Sequence, residues 1–248
     1  TAALSAAHYD VETLSSLEEE PAGQAVPDVV ILGTGSESTA FGEERLASKK
    51  YPKTPIICMD NDATPMRRIK ALRAGAREVF ARSLPDTLLL ARIRSILRES
   101  GALRECERRR IAAASFGFAE AAPGFRSACR IGCIGPTQTC QKTVDLLSSL
   151  LPHNVEHLPL QDVLREDPAR HSPEAYVMVG ETSGALENLL PELRARSHLR
   201  HAAVLVLFPD AAGDVATTAL SLGASDVAAA SSSGEEIAWR IDAMLDRK

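Results

Sequence analysis

Short apolar runs alternate with longer amphipathic stretches along most of this chain. In the C-terminal half, apolar runs predict strands at 129–134, 154–158, 175–179, 203–208 and 226–230, and the stretches between them predict helices at 141–151, 184–196, 212–222 and 234–246. Runs such as "AAVLVLF" are apolar without alternation, which is typical of strands covered by helices on both faces. Strict alternation of strands and helices predicts parallel strands joined by helical crossovers. This half is therefore predicted to be a complete (βα)5 domain.

The same pattern occurs twice. "PIICMD", "GAREVF" and "ARIRSIL" recur as "AVLVLF", "GASDVA" and "WRIDAML" at a constant offset of 148 residues, as from Met59 to Leu207. Further upstream, "PDVVILG" (27–33) matches "EAYVMVG" (174–180) with one residue of slippage, and "DVETL" (10–14) matches "NVEHL" (154–158). Counted back from there, the first strand of the first copy falls before residue 1. We expect this copy to lack its first strand and most of its first helix, with Thr1 to His8 as the end of that helix and 10–14 as its second strand.

Three segments follow from the repeat. Residues 1–104 are predicted to form an N-terminally truncated domain, and 128–248 a complete one. Between them, 105–127 begin as a basic, polar helix continued from the first domain and end as a linker rich in Gly, Ala and Pro. The fold class is α/β, with two (βα)5 domains in tandem.

Composition narrows the function only by exclusion. The 248 residues are 45% hydrophobic and 25% charged, with a net charge of -5, which indicates no general affinity for nucleic acid or an anionic membrane. The longest apolar run, 202–208, is far shorter than the roughly 20 residues of a spanning helix. The five cysteines have no common zinc spacing. We expect reduced cysteines and a cytoplasmic protein.

Several motifs carry a family resemblance. "PDVVIL" at the third strand, "TPII" at the fourth and "LRAGAREVFARSL" leading into the fifth resemble a response-regulator receiver domain, which has a flavodoxin-like fold. Two such domains in tandem, with "LSAAHYDVET" before the second strand and "FGFAEA" in the linker, resemble more narrowly the input half of PleD-like diguanylate cyclases. That family arranges a receiver, an adaptor receiver and a catalytic GGDEF domain.

The resemblance implies where the phosphoryl-transfer residues of a receiver would fall. The phosphate-accepting Asp, the switch Ser or Thr and the Lys correspond in the first copy to Gly33, Asp60 and Arg82. In the second copy they correspond to Gly180, Phe208 and Ala230, and the acidic pair that would hold Mg²⁺ corresponds to Gly135 and Pro136.

None of these positions keeps the family's residue type, although Arg82 keeps a positive charge. Glycine offers no nucleophile, and Glu181, Thr34 and Ser36 nearby have no evident activating partner. We therefore expect two degenerate receivers with no catalytic residue and no cofactor.

Other chemistries remain as alternatives. "GTGSES" lacks the third glycine of a dinucleotide-binding loop, and "GPTQTCQKT" (135–143) lacks the second glycine of a Walker A loop, although it begins a helix that could hold a small anion. A Mg²⁺ ion near Asp60 and Asp62 is a further alternative to a solvated loop in which Asp62 or Thr64 caps the next helix. A small-anion or nucleotide sensor on a receiver scaffold is thus the competing function.

Basic residues mark one predicted surface. The fourth helix of the first copy carries Arg67, Arg68 and Arg73, and the fifth carries Arg92 and Arg94. They form either a solvated basic face or an interface with an acidic partner. The resemblance implies a homodimerising module that is not itself an enzyme and that regulates a GGDEF domain C-terminal to it.

Overall fold

The chain forms two compact units. A computed structural model describes residues 2–19, 26–33, 40–61, 64–116, 128–165, 172–180, 183–197, 199–200, 202–209 and 213–246. Unit 1 is Thr1–Ser100 and unit 2 is Gly101–Lys248. The division falls within one long helix.

Unit 2 contains a five-stranded parallel sheet. Its elements are β4 (Arg130–Ile134), α5 (Thr137–Leu150), β5 (Asn154–His157), α6 (Leu160–Val163), β6 (Ala175–Val179), α7 (Ser183–Ala195), β7 (Ala203–Phe208), α8 (Gly213–Ser221), β8 (Asp226–Ala229) and α9 (Gly234–Leu245). The strand order is β5-β4-β6-β7-β8, and every neighbouring pair is parallel. This is the 2-1-3-4-5 order of flavodoxin-like folds. The predicted (βα)5 fold is confirmed. The helix predicted at 141–151 begins earlier, at Thr137, and the short α6 was not predicted.

The core of unit 2 explains its unbroken apolar strands. All residues of β6 and β7 are buried. On one face of the sheet, α5 and α9 pack through residues such as Leu147 and Ile241, both 0% exposed. On the other face, α7 and α8 contact each other and bury Leu190 and Ala219. The central strands have no solvated face, so they carry no polar alternation.

Unit 1 repeats only part of this sheet. It contains α1 (Ala2–Ala6), β1 (Val30–Gly33), α2 (Ala40–Lys50), β2 (Ile56–Asp60), α3 (Pro65–Arg73), β3 (Glu78–Ala81) and the first half of α4 (Asp86–Ser115). The described strands form a parallel sheet in the order β1-β2-β3, which matches β6-β7-β8 of unit 2. As predicted, unit 1 has no counterpart of β4 among its described residues.

The strand predicted at 10–14 does not form. These residues have no regular secondary structure, although they align with β5. Among the described strands of unit 2, β5 pairs only with β4. Because unit 1 has no described counterpart of β4, a strand at 10–14 would have no neighbour to accept its backbone hydrogen bonds. The prediction was wrong because strand formation depends on the partner as well as on the apolar pattern.

The helix ends follow from local sequence. Thr64 caps α3 by accepting a hydrogen bond from the Arg67 amide, with Pro65 in the first turn. Gly75 and Gly223, which lie 148 residues apart, follow the ends of α3 and α8 with φ angles of 112° and 103°. Left-handed backbone of this kind favours glycine, so the repeated "GA" marks the end of a helix.

A buried ion pair is also repeated at the same offset. In unit 1, Arg92 on α4 bonds Glu78 at the start of β3, with an N···O distance of 2.6 Å. In unit 2, Arg240 on α9 bonds Asp226 at 2.9 Å and Glu236 at 3.0 Å. Each pair ties the last helix of its unit to the edge strand. No helix in the described ranges is both long and apolar enough to cross a bilayer.

Candidate functional site

The carboxyl ends of parallel strands are where ligands bind in open α/β sheets, and the predicted site residues of unit 2 lie there. Gly135 and Pro136 follow β4, and Gly180 follows β6. Phe208 ends β7, and the amide of Ala230 donates a hydrogen bond to its carbonyl oxygen at 2.8 Å. The structure therefore brings these five residues to one edge of the sheet. Glu181 lies outside the described residues.

Gly135 is required by close backbone packing. Its φ angle is 149°, and a Cβ placed on it would lie 2.4 Å from the carbonyl oxygen of Val179. Such a contact cannot form without a shift of the backbone. An acidic side chain at position 135 is therefore incompatible with this arrangement of β4 and β6.

The pairing registers correct one predicted position. β1 aligns Gly33 with Met59, and β6 aligns Val179 with Leu207. Since Met59 and Leu207 are counterparts, the counterpart of Gly33 is Val179, and that of Gly180 is residue 34, outside the described ranges. The prediction that Gly33 and Gly180 are equivalent was wrong by one residue. A slip of one residue in a short apolar run leaves its composition almost unchanged, whereas backbone pairing fixes the register.

The corresponding edge of unit 1 carries charge. Gly33 and Asp60 end β1 and β2, and Arg82 follows β3, its amide donating to the Asp60 carbonyl oxygen at 3.0 Å. A Cβ placed on Gly33 would lie 3.4 Å from Nη2 of Arg82. The three predicted positions are thus together, and the guanidinium of Arg82 lies beside the position where a residue-33 side chain would start.

Asp60 has a cationic partner on the next helix. It is buried, and its Oδ2 lies 3.0 Å from Nε of Arg67 on α3. The Thr64 cap matches the solvated-loop alternative, while Asp62 lies outside the described residues. No group of three potential metal ligands occurs among the residues that the structure describes.

A buried carboxyl group near this edge was missed in the sequence. Glu44 on α2 is 1% exposed, and the Cys58 thiol donates to its Oε1 at 3.3 Å. Its Oε2 is buried without a hydrogen-bond partner among the described residues. Burial raises the pKa of the Glu44 carboxyl, and it also raises the pKa of the Cys58 thiol far above its ordinary value. A single Glu in a polar helix gives no sequence signal of burial, because the tertiary contact with β2 produces it.

Two of the five arginines of the predicted basic surface form ion pairs within unit 1. Arg67 bonds Asp60, and Arg92 bonds Glu78 with only 12% of its side chain exposed. Arg73 and Arg94 are exposed, and Arg68 is half-buried. Fewer than five of these arginines are therefore available to bind an acidic partner through this surface.

The two sheet edges differ in what they can do chemically. In unit 2 the five predicted positions, Gly135, Pro136, Gly180, Phe208 and Ala230, carry no carboxylate, hydroxyl or amine. In unit 1 the described residues of this edge include the carboxylate of Asp60, which is bound to Arg67, and the guanidinium of Arg82. Among the residues that the structure describes, neither arrangement places a carboxylate nucleophile together with supporting metal ligands, which phosphoryl transfer to aspartate requires.

Comparison with known proteins gives likenesses among solved structures. No protein-family model matches this chain, and no curated protein matches it. A CheY-like response regulator from Mesorhizobium loti is 14% identical over 48% of this chain and 99% of its own, with a TM-score of 0.38. The receiver domain of a sensor histidine kinase from Pseudomonas aeruginosa, with magnesium in its active-site cleft, is 14% identical over 48% and 99%, with a TM-score of 0.39. A putative response regulator from Chloroflexus aurantiacus is 15% identical over 48% and 99%, with a TM-score of 0.43. The fold of unit 2 is assigned from its own strand order.

Proposed function

We propose that this chain is a non-catalytic signal-transduction module made of two degenerate receiver-like domains. It makes homodimer or adaptor contacts that regulate a GGDEF diguanylate cyclase domain C-terminal to it. The observation that carries the proposal is the chemistry of the sheet edge in unit 2. There the receiver-like strand order ends in glycine, proline, valine, phenylalanine and alanine.

Phosphoryl transfer needs several groups at once. A carboxylate attacks phosphorus, a cation such as Mg²⁺ neutralises the transferred oxygens, and a lysine stabilises the developing charge. In unit 2 the positions for all three carry apolar side chains or none, and the packing of Gly135 against Val179 leaves no room for an acid. A module of this kind acts by contact, because it has no means to be switched by phosphorylation.

The helix that leaves unit 1 supplies a surface for such contacts. α4 continues past Ser100 to Ser115, and Glu105 bonds both Arg108 and Arg109 along it. Ile111 and Phe116, which follow this charged stretch, are 59% and 79% exposed. Exposed apolar side chains on a charged helix favour a protein contact.

Chemical phosphorylation tests the loss of catalysis. The full chain is incubated with acetyl phosphate and Mg²⁺, and its intact mass is measured. We expect no phosphoryl adduct in the wild-type chain, and none in Val179→Asp, because restoring one carboxylate does not restore its metal ligands. An adduct on any aspartate of the wild-type chain contradicts the non-catalytic assignment.

Regulation requires the natural full-length protein. Light scattering at tens of micromolar should give a dimer, and a strict monomer refutes the homodimer contact. If the protein carries a GGDEF domain, formation of cyclic di-GMP should change when residues 1–248 are deleted. Unchanged synthesis refutes regulation while leaving the phosphorylation result intact.

A small-anion sensor is the second candidate, and one observation in unit 1 favours it. Arg82 is exposed and lies beside Gly33, at an edge of the sheet where ligands commonly bind. Calorimetric titration with inorganic phosphate, and separately with nucleotides, tests this candidate. Binding that Arg82→Ala abolishes and Arg73→Ala preserves favours the sensor, and no binding at millimolar phosphate removes it.

A further inference from the structure

Three segments of unit 2 that are far apart in the sequence meet at the amino edge of its sheet. Cys129 precedes β4, His153 precedes β5, and Asp242 lies near the end of α9. Because the helices of a βα fold run opposite to the strands, the C-terminal end of α9 lies beside the amino ends of the strands. The imidazole ring of His153 stands between the other two segments.

Each nitrogen of the His153 ring has its own partner. The Cys129 amide donates to Nδ1 at 3.4 Å, and Nε2 lies 3.1 Å from Oδ1 of Asp242. A backbone amide can only donate, so Nδ1 is the accepting nitrogen and the ring proton lies on Nε2, which donates to Asp242. Only 13% of the side chain is exposed, so the ring is largely shielded from water that could replace either partner.

The position of the ring is fixed by the backbone around it. Leu151 and Val155, on either side of His153 in the chain, belong to the core cluster of unit 2 and are 6% and 7% exposed. On α9, Ile241 next to Asp242 belongs to the same cluster and is 0% exposed. A shift of either partner therefore changes a hydrogen bond of the ring, because the turn that carries the ring is held in place by the core.

Cys129 is the residue at which the chain coming from unit 1 reaches the sheet of unit 2. Its carbonyl oxygen accepts a hydrogen bond from the Asn154 amide at 2.9 Å, which continues the pairing of β4 with β5. Its side chain is partly buried against the core cluster. The bond from its amide to His153 thus lies where a movement of the preceding segment first acts on unit 2.

We propose that His153 couples this entry point to α9. A displacement of the chain at Cys129 changes the hydrogen bond at Nδ1, and with it the bond from Nε2 to Asp242, because the two nitrogens share one ring and one proton. The inference rests on the proposed function, in which signals pass through contacts between segments. His153 is a positioning residue in this device, and α9 is the element that it positions.

The coupling also acts in the opposite direction, since a coupling free energy between two sites is reciprocal. Without the carboxylate of Asp242, nothing on α9 holds the proton on Nε2. The ring can then take the other tautomer, in which Nδ1 carries the proton and no longer accepts from Cys129. A change on α9 should therefore be detected at the Cys129 amide.

Amide hydrogen exchange on the full chain tests the coupling. In Asp242→Ala the Cys129 amide should exchange roughly threefold to tenfold faster, as it should in His153→Ala. The double variant should add little to either single change, because both interrupt the same series of bonds. The Val177 amide in the buried strand β6 is the internal reference for global unfolding and should change much less.

Nitrogen NMR of the ring gives a second measurement, which a loss of packing alone would not change. In the wild type, Nδ1 should carry no proton and Nε2 should carry one, and Asp242→Ala should shift the ring toward a mixture of both tautomers. Asp242→Asn keeps an accepting oxygen and should preserve both the tautomer and the protection of Cys129. Glu235→Ala removes an exposed carboxylate from the same helix and is the matched control, which should change neither.

Two results overturn the coupling. One is an unchanged Cys129 amide in Asp242→Ala, and the other is full additivity of the two single substitutions in the double variant. Neither measurement uses acetyl phosphate or a GGDEF domain, so the coupling can fail while the non-catalytic assignment stands. A phosphoryl adduct would instead remove the proposed function and leave these amide and ring measurements as they are.

Discussion

Replacing Glu44 with glutamine tests whether a neutral, buried carboxyl group stabilises unit 1 in a pH-dependent way. Glu44 is 1% exposed, accepts one hydrogen bond from Cys58, and has a second oxygen without a partner among the described residues. Burial is the main cause that raises the pKa of this carboxyl above its ordinary value of 4.5, and the negative charges of Glu43 and Asp60 add to it. Glutamine has nearly the same shape and stays neutral at every pH.

The direction of the effect follows from proton linkage. Between pH 4.5 and the raised pKa, the unfolded chain has largely released this proton, whereas the folded chain largely keeps it. The free energy of unfolding of unit 1 should therefore fall as pH rises from about 4.5 to the raised pKa, and then level off. The slope within that window approaches about 1.4 kcal/mol per pH unit. Glu44→Gln removes this contribution, so the variant should match the wild type near pH 4 and exceed its stability at neutral pH.

Amide hydrogen exchange measures this pH dependence of stability for unit 1 separately from unit 2. The amides of Ile57 and Cys58 lie in β2, and their exchange, corrected for the intrinsic pH dependence, reports opening of that sheet. Glu43→Gln is the matched control on the same helix, because Glu43 is more exposed and should leave most of the pH dependence in place. Parallel stability curves for wild type and Glu44→Gln across this range would refute the reasoning.

Three further changes test the packing. Arg240→Ala leaves the carboxylates of Asp226 and Glu236 buried without their cation. Urea unfolding should therefore show that the free energy of unfolding falls by about 3–5 kcal/mol. A fall below about 1 kcal/mol contradicts a stabilising role for these two ion pairs. Gly135→Ala combines a φ angle of 149° with a Cβ contact of 2.4 Å, so it should lower the free energy of unfolding by about 1–3 kcal/mol or more in the same assay. Gly101→Ala is the control, because its Cβ would lie in open space on a helix, and it should be neutral or stabilising. Equal effects of the two substitutions contradict the close packing at Gly135. Arg194→Met removes hydrogen bonds to the carbonyl oxygens of Gly223, Arg200 and Ala202, at 2.7–3.0 Å. It should therefore lower the thermal unfolding midpoint of unit 2 by several degrees. An unchanged midpoint would show that water replaces the guanidinium at these carbonyl oxygens.

The fold of unit 2 could be predicted closely because its signals are local. Continuous apolar runs predicted buried strands, and the bounds at 175–179 and 203–208 agree with β6 and β7. The repeat then allowed the same elements to be predicted in unit 1. The repeated "GA" at 75 in unit 1 and at 223 in unit 2 marks two helix ends with positive φ. The strand at 10–14 was predicted wrongly because its pattern is local but its hydrogen-bond partner is not.

The candidate site was predicted less completely. The sequence sufficed to predict that Gly33, Asp60 and Arg82 lie close together, because the carboxyl ends of parallel strands lie at the same edge of a sheet. The one-residue slip at Gly180 arose because apolar composition does not encode register. Arg92 was expected on an exposed basic surface, and its burial against Glu78 depends on how α4 packs on β3.

The sequence by itself determined the α/β class, the repeat, the order of the elements and the residue types at the strand ends of unit 2. These properties follow from residue type and periodicity, which each segment carries independently of the others. Only the tertiary structure decided which ionisable groups are buried, as at Glu44 and Arg240, and which strand edge has no partner among the described strands, as at Ile31. Burial and pairing are properties of contacts between distant segments, and the same side chain has a different energy when water is removed from around it.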